Sequence, residues 1–135
     1  MFKRVLLIFL LFIAYPCFAK TKIEVIKVYD GDSLLASINS NVFRIRLIDI
    51  DCFEGSKNNR AKIQSKRYNL PINEINKRGN LAGDFLRNEL KNKEVYFDFQ
   101  GIDKYNRALG YLYINNENIN TKMLKTGFCH LYIIK

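Results

Sequence analysis

Histidine is nearly absent from this sequence: one residue of this type, His130, occurs in 135. Mechanisms that need paired histidines, or an activating imidazole beside a metal, cannot be assembled from it. Cysteine is scarce too, at positions 17, 52 and 129. Acidic residues are in the minority, 13 against 22 Lys and Arg, for a formal net charge of +9. That balance favours polyanionic partners. The chain is also rich in Lys, Asn and Ile, so basicity alone does not separate a nucleic-acid enzyme from an ordinary basic protein. Long apolar runs are missing beyond Val5 to Ala14, well short of the ~20 residues of a spanning helix. No strongly amphipathic cationic helix appears outside that segment, which argues against action on membranes. No internal repeat is present.

The one apolar run sits where an export signal would. Lys3 and Arg4 precede it, and Cys17-Phe18-Ala19 follows with compact residues at the first and third positions before Lys20. The expectation is a leader over 1–19, cut after Ala19, and one domain over 20–135 in an exported protein, secreted or periplasmic. Cys52 and Cys129 would then share a compartment in which a disulfide survives, without two cysteines proving one.

The mature part reads as strands first. Ile23 to Tyr29 alternates and is broken by Asp30-Gly31-Asp32, Ser33 to Ile38 is a second strand, and Asn39-Ser40-Asn41 is a turn before a third, Val42 to Ile50. In that strand Phe43, Ile45 and Leu47 should face the core, with Arg44 and Arg46 aimed outward. Ser56 to Arg78, polar, basic and interrupted by Pro71, reads as a long loop with room for a helical turn. Leu81, Ala82, Phe85, Leu86 and Leu90 predict a helix from about Asn80 to Leu90. Val95 to Phe99 and Ala108 to Ile114 are two further strands. Asn118 or Asn120 could cap a last helix through Thr126, ended by Gly127. The order β-β-β-α-β-β-α fits an α+β fold, a five-stranded, partly open barrel of the oligonucleotide-binding (OB) type with packed helices.

Two acidic clusters fall at strand ends, Asp30-Gly31-Asp32-Ser33 and Asp49-Ile50-Asp51-Cys52-Phe53-Glu54. Asp-Gly-Asp alone is most often a turn. If the strand ends converge, however, Asp32 and Asp51 offer hard carboxylate oxygens to Ca²⁺. Arg46 and Arg107 are then the pair suited to gripping phosphate oxygens in a planar fork.

Taken with Asp103-Lys104-Tyr105-Asn106-Arg107, these segments resemble the signatures of the staphylococcal nuclease family over nearly all of residues 20–135. Asp32, Arg46, Asp51 and Glu54 follow at intervals of 14, 5 and 3, as in that family. The resemblance implies a Ca²⁺-dependent endonuclease that hydrolyses DNA and RNA with low sequence specificity and leaves 3′-phosphates. It implies Ca²⁺ ligation by Asp32, Asp51 and the Cys52 carbonyl, with Asp30 nearby through water. Glu54 falls at the general-base position, Arg46 and Arg107 at the phosphate, and Lys104 and Tyr105 beside the bound nucleotide. Single-stranded or locally melted nucleic acid is the implied partner, bound by a monomer with no stable membrane association after signal cleavage.

The chain departs from that family at three places. Phe53 stands where the family usually has proline, which should loosen the turn that aims Glu54. Asn106 replaces a glycine before Arg107, a mild change because Asn tolerates left-handed backbone. The stretch from Ser56 to Arg78 is longer than usual, and Tyr132 lies near the place of a base-stacking tyrosine. The competing reading is a catalytically impaired OB-fold module that only binds nucleic acid. Its arginines or glutamate would be expected to be lost, whereas Arg46, Glu54 and Arg107 are all present.

Overall fold

A computed structural model describes residues 19–133 of the chain. The expected leader therefore lies, apart from Ala19, outside the described residues. Alternating apolar positions set the first three strands, β1 (Thr21–Asp30), β2 (Ser33–Ile38) and β3 (Asn41–Leu47), into an antiparallel meander. β5 (Val95–Ile102) pairs with β1, and β6 (Ala108–Ile114) pairs with β5. A parallel pairing of Ile45, Arg46 and Leu47 with Ala108, Leu109 and Gly110 then closes the sheet. The result is a closed five-stranded mixed barrel with three helices, an α+β fold of the OB type.

Ile45, Leu47, Leu34 and Leu112 are fully buried inside it, each contributing roughly 1.5–3 kcal/mol through removal from water. The expected inward face of β3 is therefore correct for Ile45 and Leu47, and Phe43 packs against the same core from a partly buried position.

The third strand ends earlier than its apolar pattern suggests. Backbone pairing stops at Leu47, and Asp49 takes a left-handed φ of 63°. The chain turns there into a separate strand, β4 (Asp49–Cys52), which pairs with β8 (Cys129–Tyr132). Cys52 faces Cys129 in that ladder, and the two form a disulfide. This joins the strand that carries Asp51 to the last strand of the fold.

The largest correction concerns Ser56 to Arg78. In place of a loop, the chain forms α1 (Asn59–Tyr68) and then α2 (Ile72–Leu90), which starts well before Asn80. Asn58 caps α1 by accepting from the Ala61 amide at 2.8 Å, and Asn69, left-handed at φ 51°, ends it. Pro71 interrupts nothing, because it stands just before α2, where a missing amide is harmless. Ala82, Leu86 and Leu90 face the core as expected, but Leu81 is 43% exposed.

α3 (Ile119–Lys125) is capped by Asn118, whose side chain accepts from the Thr121 amide at 3.1 Å, and Gly127 follows at φ 78°. Between β6 and α3 lies the short strand β7 (Glu117–Asn118). Asn120 does a different job from its neighbour. It is buried and binds the amide of Leu112 and the carbonyls of Ile48 and Gly110, so it holds the break after β3 against β6. No helix among the described residues is long and apolar enough to cross a membrane.

The disulfide closes a sequence separation of 77 residues. Constraining a loop of that size in the unfolded chain stabilises the fold by about 2–5 kcal/mol. Cys129→Ser should therefore lower the urea midpoint by that equivalent, and a reductant should do the same to the parent protein. Coincident unfolding curves with and without reductant would show that the bridge carries no stability.

Candidate active site

The first acidic cluster is a turn built by its own side chain. The carboxylate of Asp30 accepts from the Asp32 amide at 3.1 Å and from the Ser33 hydroxyl at 2.8 Å. Gly31 is required for close approach, since a Cβ there would stand 2.7 Å from that of Ala82 and 2.9 Å from the Cys52 sulfur. The turn can thus sit against β4 and α2, and Asp32 accepts from the Cys52 amide at 2.8 Å. Strand ends far apart in sequence do converge.

Arg46 is where they meet. It is not aimed into solvent, as the strand pattern suggested, but is only 8% exposed. One terminal nitrogen lies 2.9 Å from Asp32 and donates to the Leu47 carbonyl at 2.8 Å, and the other reaches Asp51 at 3.3 Å. Even so, burial pushes the Asp32 carboxyl well above the usual carboxylate range, against the opposing pull of Arg46 and the hydrogen bond from Cys52.

Glu54 is held from two sides. Arg60 on α1 lies 2.9 Å from one carboxylate oxygen, and the Asn58 side-chain amide donates to the other at 2.8 Å. Arg60 also contacts Asp51 at 2.5 Å. Its own pKa rises although burial opposes this, because the charges of Asp51 and Glu54 face it.

Gln64 fixes the backbone on either side of Phe53, accepting from the Glu54 amide at 2.9 Å and donating to the Cys52 carbonyl at 3.0 Å. Phe53 does not loosen this turn. It is buried with Ala61 and Ile75, and its ring meets Tyr68 and His130 edge-on. His130 is a packing residue stacked on Tyr68, and desolvation lowers its pKa.

The Asp103 to Arg107 loop is closed by Asp103, which accepts from the amides of Tyr105 and Arg107 and from the Arg107 guanidinium at 2.8 Å. Burial would raise the Asp103 pKa, but these hydrogen bonds prevail and lower it. Asn106 is left-handed at φ 60°, filling the glycine's role as its side chain permits. Beyond the loop, Tyr111 bonds Asp49 and its phenol is thereby pushed up to about 12.

A single cleft of about 450 Å³ is lined by Asp30, Asp32, Arg46, Glu54, Arg60 and Arg107 together with Tyr29, Ser33 and Arg44. A second opening, of about 390 Å³, adds Lys104, Tyr105 and Tyr132 to Arg46, Arg60 and Arg107. All of the expected side chains except those of Asp51 and Cys52 thus line one opening or the other. Asp51 pairs with Arg46 and Arg60, the Cys52 sulfur is in the disulfide, and the Cys52 carbonyl keeps one lone pair beyond its bond to Gln64.

Asn58, Arg60, Gln64 and Asn120 were not singled out by the sequence as site or support residues. Only the Asn-x-x-Ala cap of Asn58 carried a local signal.

The donor chemistry fits a hard cation. Asp32 and Asp51 offer carboxylate oxygens, and Cys52, whose sulfur is in the disulfide, offers a carbonyl and no free thiol. Among the described residues no three acidic, His or Cys side chains stand close enough to form a ready-made metal cluster. Arg46 and Arg60 stand between the carboxylates.

A family model described as "Staphylococcal nuclease homologue" matches residues 44–135. An uncharacterized protein of Methanocaldococcus jannaschii is 35% identical over 82% of this chain and 58% of its own length. A thermonuclease of Staphylococcus hyicus is 30% identical over 77% of the chain and 55% of its own. A micrococcal nuclease of Shigella flexneri is 24% identical over 90% and 64% respectively. The chain thus spans between about half and two thirds of the length of these curated relatives.

Gly79 lets α2 press on the turn that presents Glu54, since a Cβ there would lie 2.3 Å from the Glu54 carbonyl carbon. Gly79→Ala should destabilise the protein by about 1–3 kcal/mol in urea unfolding, despite alanine's better helix propensity. A stabilised variant would contradict this packing.

Proposed function

The chain belongs to the staphylococcal nuclease family, and from that membership we propose that it is a Ca²⁺-dependent endonuclease of DNA and RNA, exported and monomeric. The observation that carries the reading is the cleft in which Asp32, Arg46, Glu54 and Arg107 face one another. Strand ends, helix and loop all deliver charge to one place the size of a phosphodiester and its sugar. The relatives named as thermonuclease and micrococcal nuclease support the same activity.

In this reading Asp32, Asp51 and the Cys52 carbonyl would hold the cation. When bound, Ca²⁺ would neutralise charge on the phosphate and polarise a water. Glu54, held by Arg60 and the Asn58 amide, accepts the proton of the attacking water. The water oxygen bonds to phosphorus as the bond to the 5′-oxygen breaks. A 3′-phosphate and a 5′-hydroxyl result, the latter completed by a solvent proton.

Arg46 and Arg107 donate to the non-bridging oxygens as charge builds, and each is already held by a carboxylate, so little reorganisation is needed. Lys104 and Tyr105 flank the nucleotide at the adjoining opening. Backbone contacts of this kind read little sequence and weaken with salt.

Glu54→Gln keeps the shape and removes the base. It should lower the rate of single-stranded DNA and RNA cleavage about 10²–10⁴-fold, with binding retained. EGTA should abolish cleavage by the parent protein. A parent protein that shifts nucleic acid on a gel but never cuts it, with or without Ca²⁺, would mark a binding module instead.

A further inference from the structure

Helix α1 adds a feature to this cleft that none of the roles above uses. Arg60, Ile63, Gln64 and Arg67 recur at the helical spacing and share one face. That face lines a cavity of about 220 Å³ with Arg46, Asp51 and Tyr132. The cavity adjoins the candidate active site, since Arg46 and Arg60 line both. Its charge balance is three guanidinium groups against one carboxylate.

The helix is firmly placed. Gln64 is bonded to the backbone of Cys52 and Glu54, and the adjoining side of the helix, through Ala61 and Tyr68, packs on Phe53 and Ile75.

Along this face the two arginines have different duties. Arg60 is engaged by Asp51 and Glu54, whereas Arg67 is exposed and joins no ion pair among the described residues. They stand seven residues apart, about 10 Å along the helix axis. With the scissile phosphate at Arg46, beside Arg60, Arg67 is left for another. Ile63, 55% exposed, and Tyr132, 48% exposed, offer apolar surface between them for a sugar or base.

We propose that the Arg60–Ile63–Arg67 face of α1 is a second binding subsite, which takes a phosphate flanking the scissile one on the same strand and so favours polynucleotide over short substrates. This rests on the nuclease reading for the identity of the strand. The structural role open to Arg67, a cation near the C-terminal end of α1, predicts stability but no contact with a ligand.

The test is binding of a fluorescent single-stranded octanucleotide to Glu54→Gln protein, by anisotropy in Ca²⁺ over a range of salt concentrations. Adding Arg67→Ala should weaken binding about tenfold and reduce the steepness of log K against log salt by about 0.7, the contribution of one phosphate on a single strand. Arg67→Lys should restore the slope. Unchanged affinity, or weaker binding with the slope unaltered, would overturn the subsite. Cleavage by the parent protein is assayed in parallel. A parent protein that cuts while Arg67→Ala binds normally loses only the subsite, and one that never cuts but shows the Arg67 effect loses only the nuclease reading.

Discussion

Arg46 holds two buried carboxylates together, and most of the site's geometry depends on that bridge. Asp32 ends the turn after β1 and Asp51 lies in β4, so the guanidinium between them ties the meander to the strand that leaves it. All three side chains are about nine-tenths buried. At that depth the loss of one partner strands an uncompensated charge, a cost of about 3–5 kcal/mol, whereas an exposed pair such as Lys22 with Glu94 is screened by solvent and contributes little. Arg46 can reach both carboxylates because β3 stops at Leu47 and the left-handed Asp49 redirects the chain into β4. Asn120 and the disulfide then hold that redirection in place.

The same arrangement joins structure to chemistry. Carboxylates gathered to receive a cation would repel one another, and the arginines that relieve this are also the groups suited to a phosphate. Burial raises the Asp32 pKa against the pull of Arg46. In the proposed function a hard cation and a phosphodiester would together supply the opposite charges that these two sets of side chains lack. Burial, which is costly for stability, would then serve the proposed catalysis by strengthening each interaction in the cleft.

Barrel strands and clustered charges were legible in the sequence because their signals are local. Alternation located the five barrel strands, and the intervals linking Asp32, Arg46, Asp51 and Glu54 marked residues that the fold does bring together. Arg46 was misread as outward because alternation reports faces of a strand and not what another segment places over them. α1 was missed for a different reason. It buries only Ala61 and Gln64, so it lacks an apolar stripe, and its order comes from the Asn58 cap and from packing around Phe53. Phe53 itself looked like a loosened proline until its partners Tyr68 and His130, distant in sequence, came into view. Asn120 looked equivalent to Asn118 as a cap, and only tertiary contacts distinguish them.

Asparagine has an unexpected part in this chain. With seven glycines available, the described residues place Asn39, Asn69, Asn92, Asn106, Asn115 and Asn116 in left-handed conformations, at helix ends and hairpins where glycine is usual. Asn106 is the one of these that serves the site, since its turn lets Asp103 grip Arg107.

Calcium titration by calorimetry, with the parent protein beside Asp32→Asn, tests the central claim most directly. If Asp32 and Asp51 form an oxygen site completed by a hard cation, the parent protein binds one Ca²⁺ per chain and the variant binds it at least tenfold more weakly. Equal uptake by both, or none by either, would contradict the account.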